Sequence, residues 1–203
     1  VLVISFLMVG VFSDEMNSES RFVYYSTKYG PTRGAAAKIL AVFIIATMLY
    51  WSGMLLMSLM SFGGMGTGGA FASIQTESPY SMYGLNFLER YLLILLSGYV
   101  ACLFSAGMTL LLFVKTKSAI SAMSISFLLF AGLPLLAGND AFESFRMLTP
   151  DRLFHVQDNM NNPCVYQFGT IVCSRVTLLI ALYSFLLIPT VVLSYRGFRK
   201  GSM

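Results

Sequence analysis

The stretch FSDEMNSESRFVYYSTKYGPTRGAAAK, residues 12–38, is a long polar interruption near the start of a chain made mostly of apolar runs. Gly30 and Pro31 form a stop signal, because glycine commonly ends helices and proline often follows the last turn. Thr32 has the residue type that caps a following helix. The stretch therefore predicts a short surface helix, a sharp turn, and a span that returns into a membrane through Lys38.

An aromatic stripe marks the helix predicted within this stretch. Phe22, Tyr25 and Tyr29 are separated by three and four residues, which places them on one helical face. Ser13 has the residue type of an N-cap, and Asp14 and Glu15 after it would lie in the first turn of the helix, where the helix dipole is positive. The predicted helix is amphipathic, so its aromatic face has to be covered by a membrane surface or by a partner.

The composition assigns the chain to the membrane proteins. Of its 203 residues, 57% are hydrophobic and 11% are charged, and the mean hydropathy is +0.74. Soluble domains carry about 25% charged residues. The net charge of +4 comes from basic residues scattered at the ends of spans, whereas nucleic-acid binding requires a basic patch. No nucleic-acid partner is expected.

Apolar runs of membrane-spanning length predict a single transmembrane domain over residues 1–203. A span needs about 20 residues. The first run is shorter and begins without the basic flank of a signal peptide, so we interpret it as the end of a truncated span. The predicted order is a partial span at 1–13, the polar segment 14–37, spans 39–62, 91–114, 118–137 and 176–195, and loops at 63–85 and 138–175.

Small residues recur at every fourth position in two neighbouring spans. Gly98, Cys102 and Ala106 form one ridge, and Ser118 and Ala122 lie on one face of the next span. Such ridges allow helix backbones to approach closely. We expect these two spans to form a closely packed antiparallel hairpin, although a small-residue face also suits a substrate path.

Methionines and one pair of charges leave further alternatives open. Met54, Met57 and Met60 suit an adaptable apolar path, and they equally suit a bundle core or a lipid-facing surface. Glu89 and Arg90 stand at the mouth of a span, where charges are either functional or an interfacial pair that reaches water. Neither pattern chooses between its alternatives.

The loop before the last span predicts short helices. A helix start is indicated by a cap residue, Thr149, followed by a first-turn proline, Pro150, and a first-turn acid, Asp151. Cys164 and Cys173 lie in the same loop, where they either form a disulfide or remain free thiols.

An apolar span ending in Phe-x-x-Glu, then a polar helix, a Pro-x-Arg and a lysine opening the next span resembles the permease subunit of type-2 ABC exporters. In this chain these residues are Phe12, Glu15, Pro31, Arg33 and Lys38. The short helices before the last span are a second match to that family. The resemblance covers nearly the whole chain by the order of its spans.

The resemblance implies a fold and partners that the residue patterns alone do not. The fold would be an all-α polytopic bundle of about six spans, with a cytoplasmic coupling helix after the second span and two short outer helices before the last. The coupling helix would bind a separate ATPase subunit, which would hold ATP and Mg, through Glu15, Phe22, Tyr25, Tyr29 and Arg33. A second permease subunit would complete a homodimer or heterodimer, and this chain would carry no cofactor.

The charge distribution predicts an orientation in the membrane. If the coupling segment is cytoplasmic, nine of the thirteen Lys and Arg residues lie on that side, including those of the C-terminal cluster at 196–200. The positive-inside rule then places the C-terminus in the cytoplasm. The family resemblance implies that this membrane is the bacterial cytoplasmic membrane.

The sequence predicts an exporter of hydrophobic or amphipathic molecules rather than an enzyme. It has no Walker A pattern. His155 is the single histidine, which is a poor basis for a metal site or a catalytic triad. We therefore assign no catalytic and no metal-binding residue. The alternatives are a membrane-embedded enzyme and a non-transporting assembly or sensor protein.

Overall fold

The computed structural model describes residues 7, 30–77, 83–132, 149–161, 165–168 and 171–200. In this part of the chain, three helices are long and apolar enough to cross a membrane: Arg33–Gly64, Phe87–Thr116 and Arg175–Arg199. They agree with the predicted all-α membrane class. The predicted total of about six spans extends into segments outside the described residues.

Helix α1, Gly30–Met65, begins earlier than the sequence indicated. Gly30 and Pro31 belong to its first turn, so Thr32 lies inside the helix and is not its cap. The prediction of Thr32 as cap was wrong because proline suits both the end of one helix and the first turn of the next, where its missing N–H costs nothing. The predicted span 39–62 lies within α1.

Helix α2, Phe87–Thr116, starts where its capping residues predict. The Asn86 backbone N–H donates to Glu89 Oε2 over 2.9 Å, as in a capping box. Before it, a 3₁₀ turn at Ile74–Thr76 is joined to the helix start by an isolated bridge between Ser73 and Asn86. The helix ends at Thr116, and the next residue, Lys117, turns the backbone into the left-handed region with a φ of 52°.

Helix α3, Ala119–Phe127, continues as a π-helical turn over Leu128–Gly132. Ser118 precedes α3 as its N-cap and accepts a hydrogen bond from the Ser121 N–H over 3.5 Å. We predicted Ser118 on the small packing face of this span; in the structure it is extended and lies immediately before the helix as its N-cap. The rest of the predicted span 118–137 lies outside the described residues.

Short elements precede the last long helix. A 3₁₀ turn, Pro150–Leu153, follows Thr149 as the Thr-Pro-Asp pattern predicts, and α4 is Val156–Asn161. The strands β1, Val165–Phe168, and β2, Ile171–Ser174, then pair antiparallel. The sequence did not indicate this pair of strands. Helix α5, Arg175–Lys200, follows β2 directly and contains Pro189.

Helix α2 is the centre of the bundle. In the most apolar window of each candidate span, 56% of α2 is buried, against 17% of α1 and 22% of α5. Helices α1, α3 and α5 all pack on α2. One core cluster joins Val42 and Ala46 of α1 to Cys102 and Ala106 of α2 and to Ala122 of α3.

A second core cluster joins α2 to α5 and to the 3₁₀ turn before α4. Phe104 of α2 meets Tyr183 of α5 with ring centroids 4.8 Å apart, and Leu153 of the 3₁₀ turn is buried in the same cluster. Edge-to-face aromatic packing of this kind stabilises helix contacts beyond the burial of area. The 3₁₀ turn Pro150–Leu153 is therefore part of the packed bundle, where it lies against α2 and α5.

Gly197→Ala is expected to destabilise the contact between α5 and α2 by about 1 kcal/mol. A Cβ at residue 197 would overlap Val114 Cγ1, and a β-branched side chain has little freedom to move aside. Thermal unfolding of the purified chain measures the effect. Gly53→Ala is the matched control, since its Cβ would meet nothing within 4 Å; equal losses in both variants would contradict the close contact.

Candidate functional site

The predicted coupling residues lie almost entirely outside the described part of the chain. This holds for Glu15, Phe22, Tyr25 and Tyr29. Arg33 is described, and its side chain is exposed near the start of α1. Contact between these five residues and an ATPase stays a prediction.

The small ridge on α2 faces α1. Gly98 and Cys102 are buried; a Cβ on Gly98 would lie 2.8 Å from Tyr50 Oη, and Cys102 Sγ donates to the Ala46 carbonyl over 3.6 Å. The ridge was expected to pack against the following span. The structure gives Gly98 and Cys102 contacts with the preceding long helix, and Cys102 and Ala106 also share a core cluster with Ala122 of the following span.

Helices α2 and α3 meet through hydroxyl groups as well as apolar side chains. Ser126 Oγ of α3 donates to Thr109 Oγ1 over 3.4 Å, and Thr109 in turn donates to the Ser105 carbonyl over 2.7 Å. Ala122, one turn before Ser126, is fully buried. Small polar residues of this kind join membrane helices without leaving a polar atom unsatisfied.

A groove between α1 and α2 is the candidate functional site, and we call it the aromatic groove. It has a volume of about 360 Å³ and is lined by Trp51, Met54, Leu55, Ser58, Leu59, Phe62, Gly63, Tyr91 and Leu95. All but Tyr91 and Leu95 come from the second half of α1. Its walls are mostly aliphatic and aromatic, which suits a hydrophobic ligand.

The hydroxyl groups around the aromatic groove are paired with one another or with the backbone. Ser58 Oγ and Tyr91 Oη share a hydrogen bond, and the Tyr91 ring packs edge-on against Phe62 with centroids 5.4 Å apart. Deeper in, Tyr50 Oη donates to the Leu95 carbonyl over 2.7 Å. Because these groups are satisfied, they add little polarity to the apolar wall.

Trp51 forms the edge of an aromatic cluster beside the groove. Its ring lies 6.0 Å from that of Tyr50 and 6.2 Å from that of Tyr99, centroid to centroid. Tyr99 Oη is also 3.1 Å from Thr47 Oγ1. The contacts of Tyr99 with Trp51 and Thr47 hold α1 against α2, so this wall of the groove is preformed.

The three methionines do not form one path. Met54 lines the aromatic groove, whereas Met57 and Met60 are 67% and 75% exposed on α1. In a membrane, the latter two would face lipid or another subunit. The methionine pattern therefore belongs to two different surfaces of one helix.

A buried charge, that of Arg90, lies at the start of α2, directly before Tyr91 in the chain. The Arg90 side chain is 8% exposed, and its Nη1 donates to Glu77 Oε2 over 2.8 Å. We considered Glu89 and Arg90 as a pair, but Glu89 instead accepts from the Asn86 backbone N–H. Adjacent residues on a helix point in different directions, which is why the two did not pair.

A second buried arginine attaches α4 to α5. Arg175 donates from Nη1 to Asn159 Oδ1 over 3.4 Å, and Asn159 donates from Nδ2 to the Arg152 carbonyl over 2.8 Å. In β2, Cys173 is a free thiol paired in register with Tyr166. Cys164 lies outside the described residues; of the two alternatives for these cysteines, the structure has Cys173 as a free thiol.

Sequence reasoning overlooked most of the groove and the partner of Arg90. The signal for the groove was present: Trp51, Met54, Ser58 and Phe62 are spaced by three or four residues and share one face of α1. No comparable signal marks Glu77, because it lies in a loop thirteen positions before Arg90.

Comparisons with known proteins identify no relative: no family model, no curated protein and no solved structure matches this chain. In the described part of the chain, no group of three or more His, Cys, Asp or Glu side chains is placed to hold a metal ion.

Proposed function

We propose that this chain is the membrane permease subunit of an ATP-driven type-2 ABC exporter, which moves a hydrophobic or amphipathic substrate out of the cell. The observation that carries the proposal is the aromatic groove, an apolar recess of about 360 Å³ on the side of a membrane-length helix. The resemblance of residues 12–38 to the exporter family supports it independently.

The chemistry of the aromatic groove supports an apolar or amphipathic substrate. Trp51, Phe62 and Tyr91 offer broad ring surfaces, which bind apolar groups of varied shape. Met54 adds a flexible wall that adapts to different outlines. The shared hydrogen bond between Ser58 and Tyr91 can exchange for one to a substrate, which gives an amphipathic molecule one polar contact.

Helix α1 supplies a direct mechanical link between the ATPase and the groove. It begins at Gly30, immediately after the predicted coupling helix, and continues unbroken to Met65. At 1.5 Å per residue, the distance from Arg33 to Trp51 is about 27 Å. A displacement of the coupling segment by an ATPase would therefore reach the groove wall through one rigid element.

The exposed side of α1 supports a second permease subunit. Met48, Leu56 and Met60 are each about 60% exposed or more. A helix with so little burial is stable only against lipid or another protein surface. In the proposed assembly, the α1 helices of two subunits flank the transport path, so each aromatic groove would open toward it.

Tyr25→Ala is expected to weaken binding of the ATPase subunit roughly thirtyfold, since loss of a central aromatic anchor typically costs about 2 kcal/mol. The full chain is coexpressed with a cognate ATPase subunit, and copurification and ATPase activity in proteoliposomes are measured. Tyr24→Ala is the matched control, because Tyr24 lies off the stripe of Phe22, Tyr25 and Tyr29.

Both variants are expected to insert into the membrane in normal amounts, because the predicted coupling helix lies outside the spans. Glu15→Ala is expected to act like Tyr25→Ala but more weakly, through the start of the helix. Full ATPase binding and full transport by Tyr25→Ala would contradict the assignment of this helix as the coupling helix.

A further inference from the structure

A second groove lies between the first turns of α1 and the last turns of α5, and we call it the basic groove. It has a volume of about 610 Å³, and its lining includes Leu40, Phe43, Val192, Tyr195, Arg196 and Arg199. It is distinct from the aromatic groove, which is formed by the other half of α1 with α2.

The basic groove has an apolar part and a charged part in a fixed order. On α5, its residues recur every three or four positions, with Val191 and Val192 toward the middle of the helix and the two arginines toward its end. Eight residues separate Val191 from Arg199, which is about 12 Å along the helix axis. On α1, the lining residues from Ala36 to Phe43 are apolar over a similar length.

Two arginines line the end of the groove formed by the last turns of α5. Arg196 and Arg199 are three residues apart, so their side chains project from the same side of α5. The described residues that line the basic groove include no Asp or Glu.

We propose that the basic groove binds one anionic phospholipid, with its phosphate between Arg196 and Arg199 and an acyl chain against the apolar wall. The groove is open along its side, since Leu40 in its wall is 61% exposed. Basic pockets between membrane helices bind acidic lipid headgroups in this way. The site depends on the chain lying in a membrane and is independent of the proposed transport function.

The order of apolar and charged groups selects this occupant. A lipid with one net negative charge complements two arginines, whereas a zwitterionic lipid brings its own cation to the same place. A soluble phosphate compound complements the arginines alone and leaves the apolar wall uncovered. The ligand is therefore bound by both of its ends, and the site spans the helix pair α1–α5.

The test measures binding of dioleoylphosphatidylglycerol to the purified full chain in detergent, by native mass spectrometry over a lipid titration. The double variant Arg196→Gln/Arg199→Gln is expected to bind roughly thirtyfold more weakly, because each cation contributes about a factor of five. The matched control Lys115→Gln/Lys117→Asn removes two exposed cations at the end of α2 and is expected to bind as the wild type does.

Two further measurements test the apolar part. Ala36→Trp fills the groove and is expected to weaken lipid binding while both arginines remain. Glycerol phosphate is expected not to displace the lipid at equal concentration. Any of four results would overturn the proposal. Two concern variants: equal loss of binding in the Lys115/Lys117 control, and wild-type binding by Ala36→Trp. Two concern ligands: displacement of the lipid by glycerol phosphate, and equal affinity for dioleoylphosphatidylcholine. The unfolding temperature of each variant identifies a variant that is simply misfolded, in which case Arg199→Gln alone replaces it.

Discussion

Gly98→Leu is expected to destabilise the folded chain by about 3 kcal/mol, which combines overpacking with the loss of one hydrogen bond. A Cβ at residue 98 would already lie 2.8 Å from Tyr50 Oη, so the larger side chain has to expel the Tyr50 ring. That movement breaks the hydrogen bond from Tyr50 to the Leu95 carbonyl. The measurements are the yield of monodisperse protein from membranes and its unfolding temperature.

Two further variants isolate the contact between α1 and α2. Gly53→Leu adds the same side chain at a position of α1 where a Cβ meets nothing within 4 Å, and it is expected to leave the unfolding temperature nearly unchanged. Tyr50→Ala creates room, so the double variant Gly98→Leu/Tyr50→Ala is expected to recover part of the loss. Additive effects of the two substitutions would show that residues 98 and 50 do not touch.

Glu77→Lys is expected to destabilise the chain by about 3 kcal/mol, because it removes a charged hydrogen bond and places like charges together. Its partner, Arg90, is nearly buried, so the guanidinium has little access to water. Glu77 itself is half exposed, and substitution there leaves the packed core intact. The effect is measured as the change in unfolding temperature in detergent solution at low ionic strength.

Charge reversal of both residues tests whether they form a pair. The variant Glu77→Lys/Arg90→Glu is expected to be more stable than either single reversal, since opposite charges again face each other. Asp158→Lys is the matched control: Asp158 is an exposed acid on the short helix α4, and its reversal is expected to have an effect within about 0.5 kcal/mol. If Glu77→Lys and Asp158→Lys gave equal losses, the contact with Arg90 would contribute nothing.

The sequence anticipated features that depend on neighbouring residues. The 3₁₀ turn at Pro150–Leu153 follows from Thr149 and its proline. The start of α2 is marked in the same way by Asn86, a residue type that caps helices, and by Glu89 three residues later. Caps and first-turn prolines act within one turn of helix, so their consequences can be predicted from adjacent positions. Local rules were less useful at Gly30 and Pro31, where the same pair suits the end or the start of a helix.

The candidate site was harder to predict because it joins distant segments. The stripe of Trp51, Met54, Ser58 and Phe62 is visible on α1, but the hydrogen bond from Ser58 to Tyr91 connects positions 33 residues apart. The β1–β2 pair was missed for a related reason. Each strand has four residues, which is too short for an alternating pattern to stand out against an apolar background.

By itself, the sequence determined that this chain has long apolar helices suited to a membrane, because hydrophobic content and span length are properties of single segments. It also determined that small residues on α2 must lie at a close helix contact. Only the tertiary structure decided which helix meets Gly98, which acid meets Arg90, and that α2 lies at the centre with 56% of its apolar window buried. Small side chains permit close approach by any neighbouring helix, so the choice of partner depends on how all the helices pack together.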